Sequence, residues 1–96
     1  MVLEIADIHV RPGSEDEFIA AYRSARRLVA ESAGCRLVRM TRGIESPSRF
    51  VLLVEWDDVA AHEHNFRDTE RFPRWRAAIE PFFAAPLHVE HVADID

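Results

Sequence analysis

Lysine is absent, and all twelve basic residues are Arg. They are interspersed with 17 acidic residues, the formal charge is −5, and no basic face dominates. Nucleic-acid binding needs concentrated positive charge, so nucleic acid is not an expected partner. Cysteine is almost missing too. Cys35 stands alone, which excludes an intrachain disulfide and a thiolate metal cluster. At the start of an apolar stretch it reads as a small buried hydrophobe. No run of about 18 apolar residues exists, so no membrane-spanning helix is expected. Met1 to Val10 carry Glu4 and Asp7 and lack the basic and apolar regions of a signal peptide. A cytoplasmic location is the expectation. The three glycines, Gly13, Gly34 and Gly43, are isolated. They build neither a phosphate-cradling loop nor a dinucleotide fingerprint, so no cofactor has a motif here. There is no G-x-S-x-G.

What remains suits one domain spanning residues 1–96. The apolar share of 48% is enough for one core. Val2 to Val10 reads as a first strand, broken by Arg11-Pro12-Gly13. Ser14 and Glu17 have capping-box spacing, and Glu15, Asp16 and Glu17 suit the positive end of a helix. Phe18, Tyr22, Ala25 and Val29 then form one apolar helical stripe, with Gly34 placed to end it. Cys35 to Ile44 and Arg49 to Trp56 read as an antiparallel hairpin across Glu45-Ser46-Pro47-Ser48. In the second of these strands Phe50, Leu52, Val54 and Trp56 share one face. A second helical region, capped by Asp57 or Asp58, runs from Val59 to about Arg67. Another starts at Asp68 or Thr69, with Pro73 in its first turn. Leu87 to Ile95 is a last strand.

Two β-α-β halves of this kind make an α+β, ferredoxin-like βαββαβ sandwich, a four-stranded antiparallel sheet with helices on one face. The sheet's other face is also largely apolar and needs a cover. The economical cover is a second copy of the same face, which makes a homodimer the expectation.

Among the polar residues His62 stands out. Val59, His62 and Phe66 are spaced i, i+3, i+7, which turns His62 inward, and Trp56 lies just before this helix. An imidazole beside an indole in a semi-enclosed pocket can act as a general base or can simply be a hydrogen-bonded core residue. His64 should face solvent. His62-Glu63-His64 lacks the i, i+4 spacing of a helical metal pair, and His88 and His91 point to opposite faces of a strand. No metal site is expected. Asp7 and Glu55 sit on core-like strands, and His9 is alone on the first strand. The interrupted helical region packs loosely enough to leave a cavity lined by Trp56, His62, Phe66, Phe72 and Trp75, suited to a flat aromatic ligand.

Trp56-Asp57-Asp58, His62, Phe66-Arg67-Asp68-Thr69-Glu70-Arg71-Phe72-Pro73-Arg74-Trp75-Arg76, Pro81-Phe82-Phe83 and Pro86-Leu87-His88-Val89-Glu90-His91 follow one another along the second half. This half, together with Val10-Arg11-Pro12-Gly13, resembles the antibiotic biosynthesis monooxygenase (ABM) domain family. The resemblance implies a dimeric α+β barrel with a pocket in each protomer. It also implies a cofactor-independent monooxygenase that oxidises a small aromatic, such as a quinol, anthrone or polyketide, with O2. In that reading Trp56 and His62 are the catalytic pair. Phe66, Phe72, Trp75, Asp7 and His9 belong to the substrate pocket. Haem-degrading members rely on an Asn, a Trp and a His, and the first strand here has no Asn. Two further readings use the same pocket: a non-catalytic dimeric binding protein for a hydrophobic metabolite, and an O2-independent isomerase or cyclase.

Overall fold

A computed structural model describes all 96 residues. Its elements are β1 (Val2–His9), α1 (Glu15–Ala30), β2 (Cys35–Arg42), β3 (Arg49–Trp56), α2 (Val59–His62), a π turn (Glu63–Arg67), α3 (Arg71–Ile79), a 3-10 turn (Glu80–Phe82) and β4 (His88–Val92). The sheet order is β2-β3-β1-β4, antiparallel throughout. This is the ferredoxin-like sandwich expected from the sequence.

Strand β3 sets the two faces. Phe50, Leu52, Val54 and Trp56 are buried under the helices, while Val51, Leu53 and Glu55 turn to the other side. Directly opposed residues of antiparallel strands share a face. The pairs Val2–Trp56, Glu4–Val54, Ala6–Leu52 and Ile8–Phe50 therefore carry Glu4 inward with Ala6 and Ile8. The alternate set, Leu3, Ile5, Asp7 and His9, lies on the outer face. That face is mixed: Leu37 and Val92 are exposed beside Arg39 and Glu90.

Helix α1 buries Phe18, Tyr22, Ala25, Leu28 and Val29. Its start differs from the capping box that Ser14 and Glu17 suggest, since Ser14 makes no side-chain cap. Glu15 takes over, accepting from the Gly13 amide and from the Ser48 hydroxyl. Gly34 does not terminate the helix either. The helix ends at Ala30, and Gly34 shapes the turn into β2 at φ +88°. Strand β2 stops at Arg42, before Ile44, which is exposed. Strand β4 stops at Val92, because its partner there is Leu3, near the beginning of β1, and the ladder runs out. Cys35 is half-buried, and burial pushes its thiol pKa up.

Asp58 caps α2 by accepting from the Ala61 amide. Val59 is more exposed than its place in the apolar stripe suggests, and Ala61 is buried instead. The single helix expected from Val59 to about Arg67 changes character midway, where the Asp68 amide bonds the Glu63 carbonyl at 2.8 Å. This wider i→i+5 turn is a form found disproportionately at functional sites. Thr69 closes it by donating its hydroxyl to the Phe66 carbonyl and accepting from the Arg71 amide. No helix is long and apolar enough to cross a membrane.

Gly34 is doubly constrained. A Cβ there would lie 2.7 Å from the Ala61 Cβ, whereas one at Gly13 (φ +96°) would meet nothing within 4 Å. Gly34→Ala should cost about 2–4 kcal/mol in urea unfolding, and Gly13→Ala about 1–2 kcal/mol, the backbone cost alone. Equal losses would contradict the close packing of α2 on this turn.

Candidate functional site

Between the inward face of the sheet and α2, the π turn and α3 lies a cavity of ≈ 780 Å³. Twelve of its eighteen lining residues are hydrophobic, which suits a largely apolar ligand. Phe66, Phe72 and Trp75 form an aromatic wall, with Phe66 edge-on to both of the others. Ala6, Ile8 and Leu52 form the sheet side.

The polar group of the cavity is built from three elements. Glu4 comes from β1, His62 from the end of α2, and Trp56 from the end of β3. Glu4 is 6% exposed, His62 2% and Trp56 0%, so none can rely on water for its hydrogen bonds. The Trp56 Nε1–H donates to Glu4 Oε1 at 2.9 Å. His62 Nε2 lies 3.3 Å from the same oxygen. The imidazole stacks on the indole, with centroids 5.0 Å apart and an interplanar angle of 17°. On its other side, His62 Nδ1 meets His91 Nε2 at 2.7 Å. His91 is half-buried on β4 and stands directly across from Glu4 in the sheet.

Burial shifts both titratable groups toward their uncharged forms. It raises the Glu4 pKa, against the lowering effects of the Trp56 hydrogen bond and the Arg67 charge. It lowers the His62 pKa to about 4, helped by the charges of His91 and Arg67. Both shifts favour a protonated Glu4 beside a neutral His62 over a carboxylate–imidazolium pair. Perturbed groups facing a cavity are a mark of functional sites.

The sequence-derived residues divide. His62, Phe66, Phe72 and Trp75 line the cavity. Trp56 does not: it is fully buried beneath His62 and forms the floor on which the imidazole rests. Asp7 and His9 point away, on the outer face, where Asp7 pairs with Arg49 at 3.0 Å. Their placement in the pocket is corrected by the register of β1 on β3. Glu55 also faces outward. His64 is exposed and pairs with Asp68. Glu4 and His91 complete the site, and the signal that could have found them is strand parity: once Trp56 and Val54 face inward, pairing carries Glu4 and then His91 to the same side.

The sequence model of the antibiotic biosynthesis monooxygenase family matches residues 1–78. An uncharacterised protein of Bacillus subtilis, YczJ, is 30% identical over 95 residues, covering 99% of this chain and all of that protein. A solved structure from Bordetella bronchiseptica, provisionally named an antibiotic biosynthesis monooxygenase, is 38% identical with a TM-score of 0.93, over 98% of this chain and 96% of that one. SnoaB, a cofactor-independent oxygenase from Streptomyces nogalater, shares the fold at 15% identity with a TM-score of 0.86, over 99% of this chain and 93% of that one.

The opposed pKa shifts give opposed effects on stability. Between pH 6.5 and about 4 the unfolded chain protonates at His62 while the folded chain does not, so acid favours unfolding there. Glu4 acts oppositely: between pH 4.5 and its raised folded pKa the folded chain holds a proton that the unfolded chain has lost, so its contribution grows as pH falls through that window. In urea titrations from pH 7 to 4, His62→Phe should lose stability less steeply than the wild type, and Glu4→Gln more steeply. Parallel curves for all three would contradict the assignment.

Proposed function

The chain belongs to the antibiotic biosynthesis monooxygenase family, and on that premise we propose that it is a cofactor-independent monooxygenase acting on a small electron-rich aromatic. The observation that carries this reading is a buried Glu4–His62 pair opening into an aromatic-walled cavity. The pair removes a proton from an acidic C–H or O–H of the substrate. The proton comes to rest on Glu4, whose pKa burial raises, while His62 holds the orientation through its stack on Trp56.

The substrate anion then reduces O2 directly. One electron passes to O2, the radical pair recombines through a new C–O bond, and the resulting hydroperoxide loses water. For an anthrone, the sum is that one ring methylene and one molecule of dioxygen become one ring carbonyl and one molecule of water. The substrate supplies all four electrons that reduce O2: one oxygen atom is retained as the carbonyl and the other leaves as water. The apolar walls shield the anion and the peroxide from solvent. Glu4 returns the proton to the peroxide anion, and the second methylene hydrogen leaves with the water; the His91 contact holds His62 from its other side.

The same proposal includes a homodimer through the outer sheet face, supported by Leu3, Ile5, Val51 and Leu53 gathered there and by exposed Leu37 and Val92. Light scattering at micromolar concentration should give twice the chain mass, and a monomer would contradict it.

The direct test is oxygen uptake by metal-stripped protein with a panel of anthrones and hydroquinones. Glu4→Gln and His62→Ala should each lower kcat by about 100-fold or more, the usual loss when a general base is removed. Uptake indifferent to both would overturn the assignment. Turnover that persists under nitrogen would point to an isomerase or cyclase, and binding without turnover to a sequestering protein.

A further inference from the structure

The π turn has a geometric consequence for Arg67. In an α-helix, a residue five positions after His62 lies about 140° around the axis and points elsewhere. The wider i→i+5 turn brings it back toward the same side. His62, Phe66 and Arg67 accordingly all line the cavity. The Arg67 guanidinium sits over the Phe72 ring, 5.4 Å from its centroid. Arg76 is the other cavity cation, and its charge is met by Glu80 at 2.7 Å. Arg67 has no acid within ion-pair distance, whereas Arg36, Arg49 and Arg74 each have one. Its charge reaches the polar floor, where it acts on both Glu4 and His62.

We propose that Arg67 is the anion-binding group of this cavity and that its ligand is an aromatic compound bearing an oxyanion, either a carboxylate or an ionised phenol. The aromatic body rests against Phe66, Phe72 and Trp75. The oxyanion takes the guanidinium, which presents several N–H donors in a planar fork. The opposite end of the ring system is thereby directed to Glu4 and His62. Phe72 holds the guanidinium in place by cation–π contact without consuming its charge. The inference rests on the proposed oxygenase reading only in taking this cavity as the substrate site.

Calorimetric binding of three probes tests it without any turnover. These are 2-naphthoate, its uncharged counterpart 2-naphthamide, and 2-naphthol, measured across the ionisation of its phenol. Naphthoate should bind at least about tenfold more tightly than naphthamide. Arg67→Gln should remove that preference by weakening naphthoate far more than naphthamide, while Arg67→Lys should retain part of it. Arg67 is exposed, so these variants should stay folded and lose no more stability than the cation–π contact with Phe72 supplies. Naphthol affinity that rises with ionisation, and loses the rise in Arg67→Gln, would identify an ionised phenol as a source of the oxyanion. A preference for the amide, no binding of the acid at millimolar concentration, or a preference surviving in Arg67→Gln would overturn the proposal. Because no oxygen or catalysis is involved, loss of oxygenase activity and loss of anion binding are separate results.

Discussion

A carboxyl group held out of water on the inward face of a sheet is the constraint around which the site is arranged. Glu4 occupies a place where β1 would otherwise present an apolar residue between Val2 and Ala6. Burying a carboxyl group there is costly unless its oxygens are met. The Trp56 indole meets one of them, and the His62 ring stands beside the same oxygen. No buried side-chain nitrogen or oxygen is left without a hydrogen-bond partner. The indole in turn needs a partner for its N–H once it is fully enclosed, so Trp56 and Glu4 fix one another. His62 is held between the indole face and His91. Few alternative rotamers remain for any of the four, and that rigidity is what a proton-transfer site needs.

The fold supplies this arrangement through register. Val2 lies opposite Trp56, Glu4 opposite both Val54 and His91, and one slip of β1 would replace Glu4 by Leu3 or Ile5. Helix α2 then delivers His62 over the indole. The turn after β3 that allows this is short, capped by Asp58 and packed against Gly34. The apolar residues of α3 complete the walls without filling the space, leaving a cavity large enough for a fused aromatic ring system.

Much of the fold was legible in the sequence because long stretches had a single period. Strand β3 and its buried face follow from alternation, and α1 follows from its stripe. The βαββαβ order follows from the spacing of those elements. The site was legible in part. His62 and the aromatic wall follow from helical spacing and composition. Glu4 was hidden because β1 is apolar on both faces, with Leu3 and Ile5 on one and Ala6 and Ile8 on the other. Alternation alone then does not say which acid is buried, and Asp7 looked equivalent. The choice is made by pairing with β3, a long-range contact. His91 was hidden for the same reason one strand further on. Arg67 was hidden because helical periodicity assumes 3.6 residues per turn, and the π turn departs from it over the very residues that matter.

The chemistry of the site turns on where a proton rests in the Glu4–His62 pair. The most direct measurement is an NMR pH titration that follows the Glu4 side-chain carboxyl carbon and the His62 ring nitrogens in one sample. The account predicts that, as pH falls, the Glu4 carboxyl protonates first, above pH 4.5, and that the His62 ring stays neutral until about pH 4. A His62 ring that becomes charged near pH 6.5 while Glu4 remains ionised would contradict it, and would make the pair a buried salt bridge instead of a carboxylate beside a neutral imidazole.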